Sequence, residues 1–126
     1  MIHLDTSALV GALAGTGRLG PTLRAVVETG ERIQVSTFVL YEWLRGPRTA
    51  EEIAAQQALF PRETAIVFGP AEAVLAAELY RGLRRPRART TDFAVAACAL
   101  VQGASLWTLN PEDFEDIPGL TLYRAP

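Results

Sequence analysis

The sequence contains no lysine; all twelve basic residues are arginine. That absence excludes Schiff-base chemistry, P-loop phosphate binding and lysine-assisted phosphoaspartate sites, each of which needs an ammonium group. One histidine, His3, and one cysteine, Cys98, are too few for a classical zinc site, and a lone cysteine rules out an intramolecular disulfide. Any bound metal must therefore be held by oxygen. No apolar run reaches membrane-spanning length, and no basic region precedes an apolar stretch at the N-terminus, so a cytoplasmic location with no membrane partner is expected.

What is present describes an ordinary globular chain. Its 126 residues, 49% hydrophobic and 21% charged, suit a single domain, 1–126, with one core. The net charge of −2 conceals an asymmetry. RGLRRPRAR, residues 81–89, holds five arginines and no acid, so the rest of the chain is distinctly acidic.

Short apolar runs with β-branched character recur at 2–5, 33–35, 65–68, 105–108 and 120–123 and are predicted strands. Helical spacing predicts helices over 7–14, 21–28, 37–45, 50–59, 71–83 and 91–102. Strands alternating with helices imply an α/β fold whose parallel sheet is covered on both faces. In such open sheets, sites form outside the carboxyl ends of the strands. GTGRLG, residues 15–20, matches G-x-G-x-x-G only formally: it follows a predicted helix and runs into Pro21, so it is expected to be a loop.

Four acids are candidates. Asp5, in MIHLDTSALV, ends the first strand, where a helix cap and a ligand look the same in sequence. Glu42, in STFVLYEWLRG, lies in a helix apolar on nearly every side and needs a partner; a pair with Arg45 at i+3 is the plain alternative. Asp92, in RTTDFAVAACAL, opens a helix that Thr90 or Thr91 can cap, where the dipole favours a negative charge. Asp113, in TLNPEDF, follows the fourth strand directly, with Asn110 and Pro111 as a good helix start. Each has a local explanation, yet three of the four aspartates fall on one predicted rim, with Asp116 left as a surface residue. Four carboxylates gathered without lysine or histidine repel one another unless a cation is present. Oxygen ligands select Mg²⁺ or Mn²⁺, ions that activate water and stabilise the leaving oxygen of a phosphodiester.

Arg81, Arg84, Arg85, Arg87 and Arg89 run directly into Asp92. Helical spacing relates the first three before Pro86 breaks the helix. A solvated basic face is the usual role of such a run, but beside an acidic metal site these arginines are predicted to bind the flanking phosphates of a polyanion. No aromatic residue interleaves them, so base stacking is not expected here.

IHLDTSALV, STFVLYEWLRG, DFAVAACAL, and TLNPEDF followed by IPGLTLY occur in that order over nearly the whole chain. In this the sequence resembles PIN-domain ribonucleases, and within them the VapC-like toxins of type II toxin-antitoxin systems. The resemblance implies a PIN-like three-layer α/β/α sandwich with a mainly parallel five-stranded sheet. It implies a Mg²⁺ or Mn²⁺ site formed by Asp5, Glu42, Asp92 and Asp113, with Thr6, Thr108 and Asn110 orienting it. It further implies endonucleolytic RNA cleavage, a homodimer, and neutralisation by a cognate VapB-like antitoxin lying across hydrophobic grooves and the active site. Asn110 is neutral where relatives can carry an acid, which removes one charge from the site. Phe38, Tyr41 and Trp43 are candidates for antitoxin or dimer surface, although core packing is the more frequent role of such residues. Among rival readings, a receiver-like domain wants a lysine, and a phosphatase with Asp5 as nucleophile wants a second acid where Ser7 stands. A catalytically silent PIN-like RNA- or protein-binding module is the remaining alternative.

Overall fold

The computed structural model describes all 126 residues and places β1 (Ile2–Leu4) at the centre of a parallel sheet, between β2 (Ile33–Gln34) and β3 (Ser105–Trp107). Ile2 stands opposite Ile33 on one side and Ser105 on the other, and Leu4 stands opposite Trp107. The helices are α1 (Thr6–Leu13), α2 (Gly20–Glu28), α3 (Thr37–Arg45), α4 (Ala50–Leu59), α5 (Pro70–Gly82) and α6 (Thr90–Val101). Alternate side chains of a strand point to opposite faces, yet Ile2, His3 and Leu4 are all buried. Both faces of the sheet are therefore covered.

The sheet has three strands, not the five expected. The other two predicted segments each meet it through a single parallel bridge, Ser36 with Ile66 and Leu106 with Leu122. Local punctuation explains the shortfall. A 3-10 turn at Arg62–Thr64 and the Gly69-Pro70 start of α5 bracket the first segment, leaving Ile66 to donate to the Val35 carbonyl and accept from the Thr37 amide. Pro118 and Gly119 turn the chain just before the second, where the Tyr123 amide donates to the Leu106 carbonyl at 2.8 Å.

Capping chemistry sets several helix starts. The Ser36 hydroxyl accepts from the Val39 amide at 3.2 Å and opens α3. Thr49 and Glu52 form a reciprocal capping box on α4. α6 buries an unbroken run, Phe93 to Ala99, mostly of small residues that let the helix lie close against its neighbours. With Leu4, Leu106, Trp43 and Phe114 it belongs to one core, each large side chain contributing about 1.5–3 kcal/mol by leaving water.

α5 ends sooner than its arginine pattern suggests. The helix stops at Gly82 and Leu83 is extended, so Arg84 and Arg85 do not share a helical face with Arg81. Arg85 instead adopts the left-handed conformation, φ 52°, ahead of a 3-10 turn at Pro86–Arg89 that leads into α6. GTGRLG forms the α1–α2 connection, as expected, with Gly15 and Gly17 at positive φ.

Candidate metal centre

Asp5 follows β1 immediately and occupies the N-cap of α1, but its side chain caps nothing. Oδ2 accepts hydrogen bonds from Ser7 Oγ at 2.9 Å and Thr108 Oγ1 at 2.8 Å. Those hydroxyls are fixed in turn: Ser7 Oγ accepts from the Leu109 amide and Thr108 Oγ1 from the Asn110 amide, both at 3.0 Å. The carboxylate is only 7% exposed and is held by one oxygen. A buried carboxylate anchored in this way has its other oxygen available for a ligand.

Glu42 projects from α3 and accepts from Thr6 Oγ1 at 2.6 Å, which ties it to the residue next to Asp5. The plain alternative is present too, in a loose form. Arg45 lies 3.6 Å from Oε2, is 58% exposed, and also sits over the Tyr41 ring. An exposed cation at that distance holds the carboxylate weakly.

Asp92 lies in the first turn of α6. Its carboxyl is pushed up to about 6, first by burial, then by the negative charges of Asp5, Asp113 and Glu42, with Arg89 opposing. All four candidate acids thus share one electrostatic field. They do not form a closed cage: no three acid, histidine or cysteine side chains converge closely enough to surround an ion. Asp113 sits exposed on the 3-10 turn Pro111–Asp113, and Asn110 precedes it without capping the turn. An oxygen-only donor set around partly desolvated, mutually repelling carboxylates fits a hard divalent cation. Mg²⁺ commonly keeps several waters and takes only one or two carboxylates directly, so an open arrangement suits it.

The arginines divide. Arg81, Arg84, Arg85 and Arg87 are exposed. Arg89, expected to face RNA, is instead consumed within the protein, with its side chain only 13% exposed. It forks onto Asp116 at 2.9 and 2.5 Å, donates to the carbonyls of Asp113 at 3.0 Å and Arg84 at 3.2 Å, and lies over the Phe93 ring. The pair raises the affinity of Arg89 for its proton and holds the Asp116 carboxyl below its usual range.

A family model for the PIN domain matches residues 2–120. The chain belongs to the PIN domain family. This PIN domain is 32% identical over 122 residues to Ribonuclease VapC19 of Mycobacterium tuberculosis, strains CDC 1551 and H37Rv, covering 93% of this chain and 94% of that protein. The fold is shared with solved structures. One is DNA-bound VapBC from Salmonella typhimurium, with a TM-score of 0.76 at 20% identity over 97% of this chain and 96% of that one. Another is VapBC2 from Rickettsia felis bound to a DNA fragment from their promoter, with a TM-score of 0.74 at 21% identity over the whole of both chains.

Within the PIN domain, Ser7 is the residue that sequence reasoning missed. Its signal in the sequence is the hydroxyl at the third position of DTS, two residues beyond Asp5, which reads equally well as an ordinary helix start. The Arg89–Asp116 pair spans 27 residues, and nothing in the sequence links them. Of the three aromatics considered as surface, Trp43 is fully buried, whereas Tyr41 is 57% exposed. Phe38 is half-buried and lines an apolar groove of about 450 Å³ with Phe68, Tyr80 and Phe93.

Proposed function

We propose that this PIN domain, one domain over residues 1–126, is a Mg²⁺- or Mn²⁺-dependent endoribonuclease, the cytoplasmic toxin of a VapBC-like pair. Asp5 carries the reading: a buried carboxylate at the end of the central strand, making no capping bond to the helix amides and anchored through one oxygen by the hydroxyls of Ser7 and Thr108. A relative named as a ribonuclease, similar over nearly its whole length, supports the reaction class. Neighbours described as VapBC support a VapB-like antitoxin as partner, and a homodimer is the proposed assembly.

Asp5 and Asp92 would hold the cation, with Glu42 and Asp113 reaching it directly or through water. When bound, the ion supplies an activated water and charge stabilisation for the departing oxygen. Thr6 orients Glu42, and Thr108 and Ser7 orient Asp5. Asn110 supplies its amide to Thr108 rather than an acid to the site. Arg81, Arg84, Arg85 and Arg87 would hold flanking RNA phosphates. The open spacing of the acids favours one rival, a binding module without turnover.

The test uses purified protein with structured and unstructured RNA, with Mg²⁺ or EDTA, beside Asp5→Asn. Cleavage that requires Mg²⁺ and falls at least roughly 10²-fold in the variant is expected. Cleavage in the EDTA and Asp5→Asn lanes as fast as that of wild type with Mg²⁺ overturns the carboxylate-metal mechanism. RNA binding with no cleavage under any condition favours the binding module.

A further inference from the structure

Arg89 bonds three separate pieces of the chain at once, and two of them carry candidate metal ligands. It precedes α6 by one residue, three positions before Asp92, and its ring contact with Phe93 pins it to that helix at 4.8 Å. Through Nη2 it donates to the backbone carbonyl of Asp113 at 3.0 Å, and through both terminal nitrogens it grips Asp116, three residues further on. Through Nη1 it also donates to the Arg84 carbonyl, beside the left-handed Arg85. Phe114 and Ile117 anchor the segment it grips in the core, and short turn bonds run along it, but Asp113 itself is exposed and no other side chain ties its turn to α6. The 3-10 turn Pro111–Asp113 lacks a side-chain cap, and beyond it only Phe114 and Ile117 are buried.

We infer that Arg89 and Asp116 form a latch that positions the Asp113 loop against the start of α6, so that Asp92 and Asp113 can serve one cation. The inference rests on the metal-centre reading above. Arg89 is thus a positioning residue, not an RNA contact. Its planar fork is what the geometry uses: two parallel bonds to a carboxylate and one to a carbonyl need several donors in one plane, which a lysine ammonium does not offer.

Charge alone makes the opposite prediction, and this separates the two roles. A guanidinium near a cation site repels the incoming cation, so deleting it should tighten metal binding if Arg89 acted only through its field. If the latch is real, deletion loosens the site and weakens binding. Partners that orient ligands typically account for 10–100-fold in metal affinity.

The experiment titrates Mn²⁺ into ion-free wild type, Arg89→Gln, Arg89→Lys and Asp116→Asn, following free Mn²⁺ by electron paramagnetic resonance. Amide hydrogen exchange of Asp113 and Phe114 is measured in parallel. Asp116 is 39% exposed and its variant should fold even if loss of the half-buried arginine does not permit it. The expected result is a Mn²⁺ dissociation constant raised roughly tenfold or more in all three variants, with faster exchange at Asp113 and Phe114 and unchanged exchange in the interior of α6. Unchanged or tighter Mn²⁺ binding in Arg89→Gln, or full retention in Arg89→Lys, overturns the latch. If wild type itself binds no Mn²⁺, the metal reading fails separately. Exchange then decides the latch, and unchanged rates at Asp113 and Phe114 in Asp116→Asn overturn it.

Discussion

A carboxylate at a helix N-cap normally directs an oxygen to the free amides of the first turn. Asp5 has the position and withholds the bond, because Ser7 and Thr108 claim Oδ2. His3, two residues earlier, presents a different case: it is 1% exposed, and neither ring nitrogen has a partner. Burial, helped by the nearby N-terminal charge, lowers its pKa from 6.5 to about 4. The unfolded chain therefore binds a proton at His3 between about pH 6.5 and pH 4 that the folded protein refuses. Stability from this group is complete above pH 6.5 and is lost as pH falls through that window, up to roughly 3 kcal/mol. His3→Leu should flatten this acid limb in denaturant melts run from pH 7 to pH 4; an unaltered limb would show that other groups govern it.

At the scale of elements, the start of α6 concentrates the electrostatic strain. Asp92 titrates near 6 in the folded protein and near 3.8 in the unfolded chain. Across that window the folded state binds more protons, so the ion-free protein loses stability as pH rises from about 4 to about 6. The slope is opposite to that of His3, and the two partly cancel in the wild type. Because Asp92 is only half-buried, solvent screening reduces the effect to on the order of 1 kcal/mol, roughly 3–5 °C in Tm. Asp92→Asn should remove the decline, and saturating Mg²⁺ at pH 7.5 should raise the wild-type Tm more than that of the variant. Equal Mg²⁺ shifts in the two proteins would place the ion elsewhere.

At the scale of the whole molecule, an acidic body carries one exposed basic segment, Arg81 to Arg87, beside the acidic rim. On the proposed function, those arginines would draw in a polyanion against the repulsion of the rest. RNA affinity should therefore fall steeply with salt, and Arg84→Gln with Arg87→Gln should weaken binding alike for all RNA sequences while flattening the salt dependence. Fluorescence anisotropy at a series of salt concentrations measures both. A loss confined to particular sequences would mean that these arginines read bases.

Much of the architecture was legible beforehand because its determinants are local. Helical spacing alone placed all six helices to within two residues. The two edge segments were over-read as strands, since an apolar run shows where a strand can begin and not how many ladder bonds its neighbour offers. The arginine run was likewise legible as charge but not as geometry. Composition alone dictated that any metal site be oxygen-only, because a chain with one histidine and one cysteine has no other ligands to gather. Only the tertiary structure decided that Asp5 is anchored rather than capping, that Ser7 supports it, and that Arg89 turns inward to Asp116. Each depends on a contact between residues distant in sequence or on a choice between two nearby hydrogen-bond partners. Periodicity and propensity carry no information about either.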